Sequence, residues 1–407
     1  MKPAHPGALH NLALGLVAQR RYADAIPLFE QSLQIRPAHL NTLVALANAH
    51  THANRPEDAI RCCAAALASD PANVDARHNM AVALRALNRH AEAIAQLEDL
   101  LARDPNDADA EYNLALSELV LGDFTPGWRH YEARWRGRKA QPALPLARIR
   151  AWRPGEALDG ERILVQAEQG LGDTLQFVRF LDALEGVVEL HVQEPLVGFL
   201  RGQWPGVAVG ALGEACERAP TVRIALMSLP LALGLDTPER LAATRAYLHA
   251  AEGAASSEAR SVGFAWRGRP THQNDHNRSI PVERFAPWLE AQATAGIPVV
   301  VLQKGVTDAE RSFLARFGHV RIDEERLRDF AATAATVAAL DAVLSVDSAV
   351  AHLAGALGRP TTVLLPFAPD WRWGLASEQA TLYPRMRVAR QPAHGAWKET
   401  IERLATT

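Results

Sequence analysis

Pro37, Pro71 and Pro105 stand 34 residues apart, and that spacing constrains the first third of the chain more than any other feature. The same register aligns Leu12-Ala13 with Leu46-Ala47 and Met80-Ala81. It also aligns Ala25 with Ala59 and Ala93, and Phe29 with Cys63 and Leu97. Proline cannot continue a helix, so each marks the end of a unit. Alanine at fixed points lets two helix backbones approach. Each unit therefore reads as a helix pair broken by a short loop such as Asn54-Arg55-Pro56. A fourth copy, AEYNLALSELVLGDFTPGWRHYEARW, keeps Leu114-Ala115 but puts Gly127 where the others have alanine, and its aromatics are heavier. It reads as a cap that docks the array onto the rest of the chain.

A 34-residue helix-pair period is the signature of the tetratricopeptide repeat. Residues 1–140 are expected to form such a solenoid, with three clear repeats and one irregular one. Helical solenoids expose a groove that takes peptides or protein surfaces, so a protein partner is expected there. The alternative is a dimerisation or packing module, since a fold does not fix a function.

A chain of 407 residues with 48% apolar residues has room for two or three domains with sizeable cores. The net charge of −3 gives no reason to expect nucleic acid or an acidic membrane surface. Cys62, Cys63 and Cys216 make neither a disulfide framework nor a zinc pattern, and the adjacent pair reads as small core residues. No stretch approaches the apolar length of a membrane span, and the N-terminus lacks a leader pattern. A soluble, reduced, cytoplasmic protein without integral membrane contact is the expectation.

Residues 141–157 contain Pro142, Pro145 and Pro154 with little periodicity, and read as a linker. Then Ile163-Leu164-Val165 reads as a strand, Gln169 to Asp173 as a tight loop, and Thr174 to Leu184 as an amphipathic helix. VVELHV, a helix from Glu194 to Trp204, and VAVGAL come next. Alternating strands and helices with short connections argue for a parallel sheet over 158–252, with room for about four strands. The loop Gly170-Leu171-Gly172-Asp173 lacks the third glycine of a dinucleotide fingerprint. An aspartate at a helix start would also repel a pyrophosphate. Asp173 is either a carboxylate offered to something neutral or simply a helix cap.

A second alternating unit, 258–407, begins with SVGFAWRG and a polar loop dense in His, Asn and Arg. It runs through IPVVVLQKG and HVRID to Ala342–Val346, Asp347-Ser348, a small-residue helix and Thr361–Leu365. Two such domains bind a ligand outside the carboxyl ends of their strands. Asp347, Ser348 and Ala349 lie where a strand gives way to a helix N-terminus, whose free N–H groups favour a phosphate. Ser348 adds a donor, and Asp347 can accept from sugar hydroxyls. His352, one turn on, either reaches a phosphate or is buried in helix packing.

The segments VDSAVAHLAGALGRP, PFAPDWRWGL and YPRMRVARQPAHGAW resemble the C-terminal end of glycosyltransferase family 9, the heptosyltransferase-like enzymes. AEQGLGDTLQFVRF and WRGRPTHQNDHNRSIP are similar to that family's other signatures. The architecture also resembles the O-GlcNAc and O-fucosyl transferases. The resemblance implies a repeat solenoid followed by an α/β GT-B fold of two Rossmann-like domains. It implies a nucleotide-sugar as donor substrate and no metal in the reaction. It places the general base at Asp173, in the matched Gly172-Asp173 pair, with Gly170 in the same loop. It assigns donor contacts to Asp347, Ser348, Ala349 and His352, with Ala349 where the family often has glycine. Arg278 matches the basic residue that offsets the leaving diphosphate, with Trp266, Arg267 and Asn277 lining its loop. Lys304 is a nucleotide candidate. Arg372 is a phosphate candidate within Trp371-Arg372-Trp373, which either closes the cleft or is a packed loop. The helix near Trp397 is expected to cross back to the middle domain.

Three functions are open on these readings. The first is an inverting, metal-independent glycosyltransferase acting on a protein or peptide acceptor held by the repeats. The second is a scaffold whose degenerate transferase domain binds without turnover. The third is an epimerase-like enzyme, for which no second acid–base residue stands out.

Overall fold

The computed structural model describes residues 5–137, 149–158, 160–251, 260–272 and 274–406. They form two compact units, Met1–Ala140 and Gln141–Thr407. The boundary expected between 252 and 258, and much of the proline-rich linker, lie outside the described residues.

The first unit is eight helices in four packed pairs: α1 (Pro6–Ala18), α2 (Tyr22–Ile35), α3 (Leu40–His52), α4 (Pro56–Ser69), α5 (Val74–Ala86), α6 (His90–Arg103), α7 (Ala108–Leu121) and α8 (Phe124–Tyr131). The pair starts repeat every 34 residues, as the prolines do. The register alanines Ala13, Ala47, Ala81 and Ala115, and Ala25, Ala59 and Ala93, are all fully buried. At the fourth crossing Gly127 fits because a Cβ there would lie 2.8 Å from Leu119 Cδ2. A second 34-residue series lies in the turns. Arg20, Asn54, Asn88 and Gly122 all have φ between 57° and 87°, the left-handed conformation that lets one helix hand over to the next. Asn73 and Asp107 cap α5 and α7, accepting from Ala76 N and Ala110 N at 2.8 and 2.9 Å. Cys63 is buried, as read, whereas Cys62 is only half-buried.

The second unit holds two sheets. One comprises β1 (Arg150–Ala151), β2 (Arg162–Gln166), β3 (Val187–Val192), β4 (Ala208–Ala211) and β5 (Val222–Ala225), in the order β1-β5-β2-β3-β4 and parallel throughout. It has five strands rather than four, because β1 comes from the stretch read as linker and pairs with β5. The other comprises β6 (Val262–Ala265), β7 (Val299–Val301), β8 (Val320–Arg321), β9 (Ala342–Val346), β10 (Thr361–Leu365), β11 (Gln379–Ala380) and β12 (Tyr383–Arg390). Its order is β11-β12-β10-β9-β6-β7-β8, and β11 alone is antiparallel.

Each sheet winds outward from a switch point, between β2 and β5 in the first and between β6 and β9 in the second. Ligand crevices form at such points because the connections there diverge to opposite faces. The helix read as Thr174 to Leu184 is instead α9 (Leu171–Phe177) followed by a 3-10 turn over Val178–Ala183. It starts earlier because Asp173 reaches back to the Gly170 N–H and fixes Gly170 as the N-cap. The terminal helix Trp397–Ala405 does not cross to the first sheet. Trp397 and Ile401 are buried beside Phe285, Trp288 and Trp266 in the core of the second. The two sheets are joined instead by 243–248, whose backbone donates to Leu382 O and Ala356 O at 3.0 to 3.2 Å.

Candidate functional site

The carboxyl ends of β2, β6 and β9 converge on one polar cluster. β2 runs out through Gln169, a non-glycine residue held at φ 62°, into Gly170 and α9. Strain of this kind concentrates at functional sites. Gly172, in the first turn, packs directly on the start of the helix Ala349–Ala356. A Cβ on Gly172 would lie 2.7 Å from His352 Cδ2 and 3.6 Å from Ala349 Cα.

Asp173 is neither the N-cap nor turned to a neutral group: it sits at the third position of α9, with Gly170 as the N-cap, and faces a guanidinium. One oxygen accepts from Gly170 N at 2.8 Å, as a helix-start contact. The other accepts from Arg372 Nη2. Arg372, only 8% exposed, also donates to Gln176 Oε1 at 2.8 Å and to Asp370 Oδ1 at 2.6 Å. Asp370 caps the short turn Trp371–Trp373, and both tryptophans are buried. The loop is thus anchored by its tryptophans and aims its arginine at α9. The Gln176 amide nitrogen is buried with no hydrogen-bond partner among the described residues.

On the second sheet, Arg278 donates to the Asp347 carbonyl at 3.1 Å and lies across Gly268, where a Cβ would meet the guanidinium at 2.6 Å. Asp347 has a side chain 15% exposed. Burial, reinforced by the Asp370 charge and only partly offset by Arg278, Arg372 and the Trp373 indole, raises its carboxyl to about 6. Ser348 is the N-cap of the following helix, yet its hydroxyl bonds Ser345 Oγ at 3.1 Å rather than capping. Because the Ser345 hydroxyl lies 2.7 Å from Val346 O, Ser348 is the donor of that pair.

His352 is buried. Its Nδ1 lies 3.1 Å from the Tyr383 hydroxyl, and its ring stacks on Trp373 at 5.4 Å. Burial, with the nearby Arg372 charge, lowers its pKa to about 3, so the imidazole is neutral. It can hydrogen-bond but cannot supply charge to a phosphate.

The remaining candidates lie outside this cluster. Trp266 is fully buried in the core and donates to Glu310 Oε1 at 2.8 Å, so it does not line the loop. Arg267 is committed to Glu310 and to the Gly305 carbonyl. Burial alone would raise the Glu310 carboxyl, but hydrogen bonds from Arg267, Thr307 N and Trp266 more than offset it and hold it at about 2. Asn277 donates to Asn274 at 2.6 Å. Lys304 is exposed and donates to Arg328 O at 3.3 Å.

Gln176, Asp370 and His272 belong to the cluster and were not singled out from sequence. Burial and Arg278 lower the His272 pKa, while Asp370, Asp275 and Asp173 oppose the shift. The one available signal was Asp370, four residues after Pro366 in the closing loop. Cavities of about 450 and 380 Å³ lie elsewhere, beside the terminal helix and at the amino end of the first sheet. Within the cluster, Asp173 and Asp370 both pair with Arg372.

A tetratricopeptide repeat family profile matches residues 16–69 and 53–119, which identifies the repeats. Protein FlbA of Caulobacter vibrioides is 27% identical over 326 residues, covering 71% of this chain and 53% of FlbA. The chain thus spans about half the length of that curated relative. A match of that extent cannot be confined to the repeats and takes in part of the second unit. Among solved structures, a thermophilic repeat protein of Thermus thermophilus is 20% identical, covering 33% of this chain and 75% of its own, at a TM-score of 0.31. A double mutant of MamA is 18% identical, covering 31% and 72%, at a TM-score of 0.30.

Proposed function

We propose that the second unit is a GT-B-type glycosyltransferase domain that binds a nucleotide-sugar, and that the repeats recruit its protein or peptide acceptor. The observation that carries this reading is the meeting of two switch points. Asp173 and Gln176 come from the first sheet. Arg278, Asp347 and Arg372 come from the second. In this reading the sugar hydroxyls face Asp347, and the diphosphate faces Arg278 and Arg372 at the start of the Ala349–Ala356 helix. Asp173 takes the acceptor proton as the acceptor oxygen attacks the anomeric carbon and the nucleotide diphosphate leaves. Arg372 must swing from Asp173 to the diphosphate, which frees the base as the leaving group is gripped. The developing charge is met by guanidinium groups and helix N–H groups, so no metal is needed in the step.

One observation favours a second reading, a repeat scaffold with a non-catalytic domain. Both oxygens of the proposed base already carry hydrogen bonds. A thermal-shift screen of the whole chain against nucleotide-sugars and free nucleotides separates the two. A ligand at about 100 times its dissociation constant stabilises the fold by about 2.7 kcal/mol. A shift with one nucleotide-sugar, followed by transfer to an acceptor, supports the enzyme. A shift without turnover, or none with any member of the panel, supports the scaffold.

A further inference from the structure

We propose that Glu189, His191 and Cys216 form a binding site for a divalent transition-metal ion, zinc by the nature of its ligands. The site is separate from the transfer cluster and independent of the function proposed above. Glu189 and His191 are two apart on β3 and therefore project from the same face of the sheet. Cys216 comes from the segment between β4 and β5. One ligand atom from each lies within 4.8 Å of the other two. Glu189 Oε1 and His191 Nε2 are 2.8 Å apart. With ordinary zinc–ligand bond lengths, a tetrahedral site spaces its ligand atoms roughly 3.4–3.6 Å apart, so shifts of under about 1.5 Å seat the ion.

The donor set selects the metal. A thiol and an imidazole suit zinc and its neighbours, whereas calcium and magnesium take oxygen ligands. A thiolate and a carboxylate balance the two positive charges. Binding releases the thiol proton, and the metal takes the imidazole lone pair at Nε2, so the ring proton resides on Nδ1.

Two surrounding features fit an ion at this place. The Glu217 N–H donates to both Glu189 oxygens at 3.1 Å and so orients the carboxylate. Gln166 is fully buried, and neither atom of its amide has a partner among the described residues; the same holds for His191 Nδ1. Gln166 is the register neighbour of His191 on β2, on the same sheet face. A small shift of its side chain would bring the amide oxygen to a protonated Nδ1 as acceptor, the usual arrangement around a metal-bound histidine. Glu189 also lines the 380 Å³ cavity, which gives an ion a path from solvent and leaves the fourth position to water. Three ligands and an open position are not legible in the sequence, because Cys216 and His191 have no motif spacing.

The test is cobalt titration of the whole 407-residue chain, followed through the thiolate-to-cobalt charge-transfer band in the near ultraviolet. Wild type should bind stoichiometrically, and zinc should bleach the band. The band should vanish in Cys216→Ser, a near-isosteric change at a half-buried position, and in His191→Gln, but persist in Cys62→Ser. Gln166→Leu should weaken cobalt binding about 10–100-fold while keeping the band. No band in wild type, or a band that survives Cys216→Ser, overturns the site. Unchanged affinity in Gln166→Leu overturns the positioning role of Gln166.

Discussion

The Arg372 guanidinium donates to the Asp173 carboxylate, joining two residues 199 positions apart and two different sheets. Arg372 is 8% exposed, so removing one partner of the pair costs more than it would for a surface ion pair. The same carboxylate fixes the start of α9 through Gly170 N. One side chain therefore sets a helix terminus, ties two lobes together, and stands where the proposed transfer needs a base.

Asp173→Asn separates these roles. The amide oxygen can still accept from Gly170 N, but Arg372 loses one of its two carboxylates and keeps Asp370. A loss of roughly 1–3 kcal/mol in urea unfolding is expected, with the fold retained. Transfer should vanish while nucleotide-sugar affinity stays within a few-fold. Retained turnover would refute the base.

Gly172→Ala should break the packing of the two lobes. The added methyl would lie 2.7 Å from the His352 ring, which is buried and held by Tyr383 and Trp373 and so cannot swing aside. Overpacking of this kind costs about 1–3 kcal/mol. His352→Ala in the same chain makes room, so the double mutant should be more stable than the sum of the single losses allows. Additive losses, measured by denaturant unfolding, would show that the contact does not hold the lobes.

The repeat was open to reading because its signal is local and recurs: the buried alanines Ala13, Ala47 and Ala81 each sit at one register position. The left-handed turn series at Arg20, Asn54, Asn88 and Gly122 has the same period but three different residue types, so its geometry stayed hidden until the backbone was seen. Asp347 stood out because it follows the end of β9, whereas Arg278 lies well past β6 and was reached only through the family resemblance. Lys304 and Arg267 sit at strand ends too, yet Arg267 is neutralised by Glu310, a pairing that no spacing announces. The strand β1 was missed for a similar reason. Two residues become a strand only because β5 offers an open edge. The family resemblance implies Trp266 on the ligand side, whereas packing against Phe264 and Phe285 buries it.

Donor preference should depend on pH through Asp347. Its carboxyl is raised to about 6, so in the folded chain it is ionised above that value and protonated below it. The native state holds this proton where the unfolded state releases it, so its stability contribution falls as pH rises through that range. Its carboxylate, by contrast, accepts sugar hydroxyls more strongly when ionised than when protonated. The ratio of nucleotide-sugar to free-nucleotide affinity, measured by calorimetry, should therefore drop as pH is lowered from about 7.5 to about 5. Asp347→Asn should flatten that dependence. A wild-type ratio that does not change with pH would remove Asp347 from the sugar contact.

The repeat array should lose stability in mild acid through His50 and His90. Burial lowers both to about 4, helped by Arg55 and Arg61 around His50 and by Arg85 near His90. Above the ordinary histidine value of about 6.5, folded and unfolded chains are both neutral there, and the full stability is present. Between that value and about 4 the unfolded chain takes up protons that the folded chain refuses, so stability falls as pH falls. Each histidine removes up to about 1.4 kcal/mol per pH unit across that window. Both side chains sit inside helix pairs, so the loss should appear in the far-ultraviolet helix signal during urea unfolding. Replacing both, as His50→Gln with His90→Gln, keeps a donor and an acceptor at each position but removes the titration. The double variant should therefore lose less stability than wild type between neutral and mildly acidic pH. Parallel pH profiles for the two proteins would show that acid acts on the array through other groups.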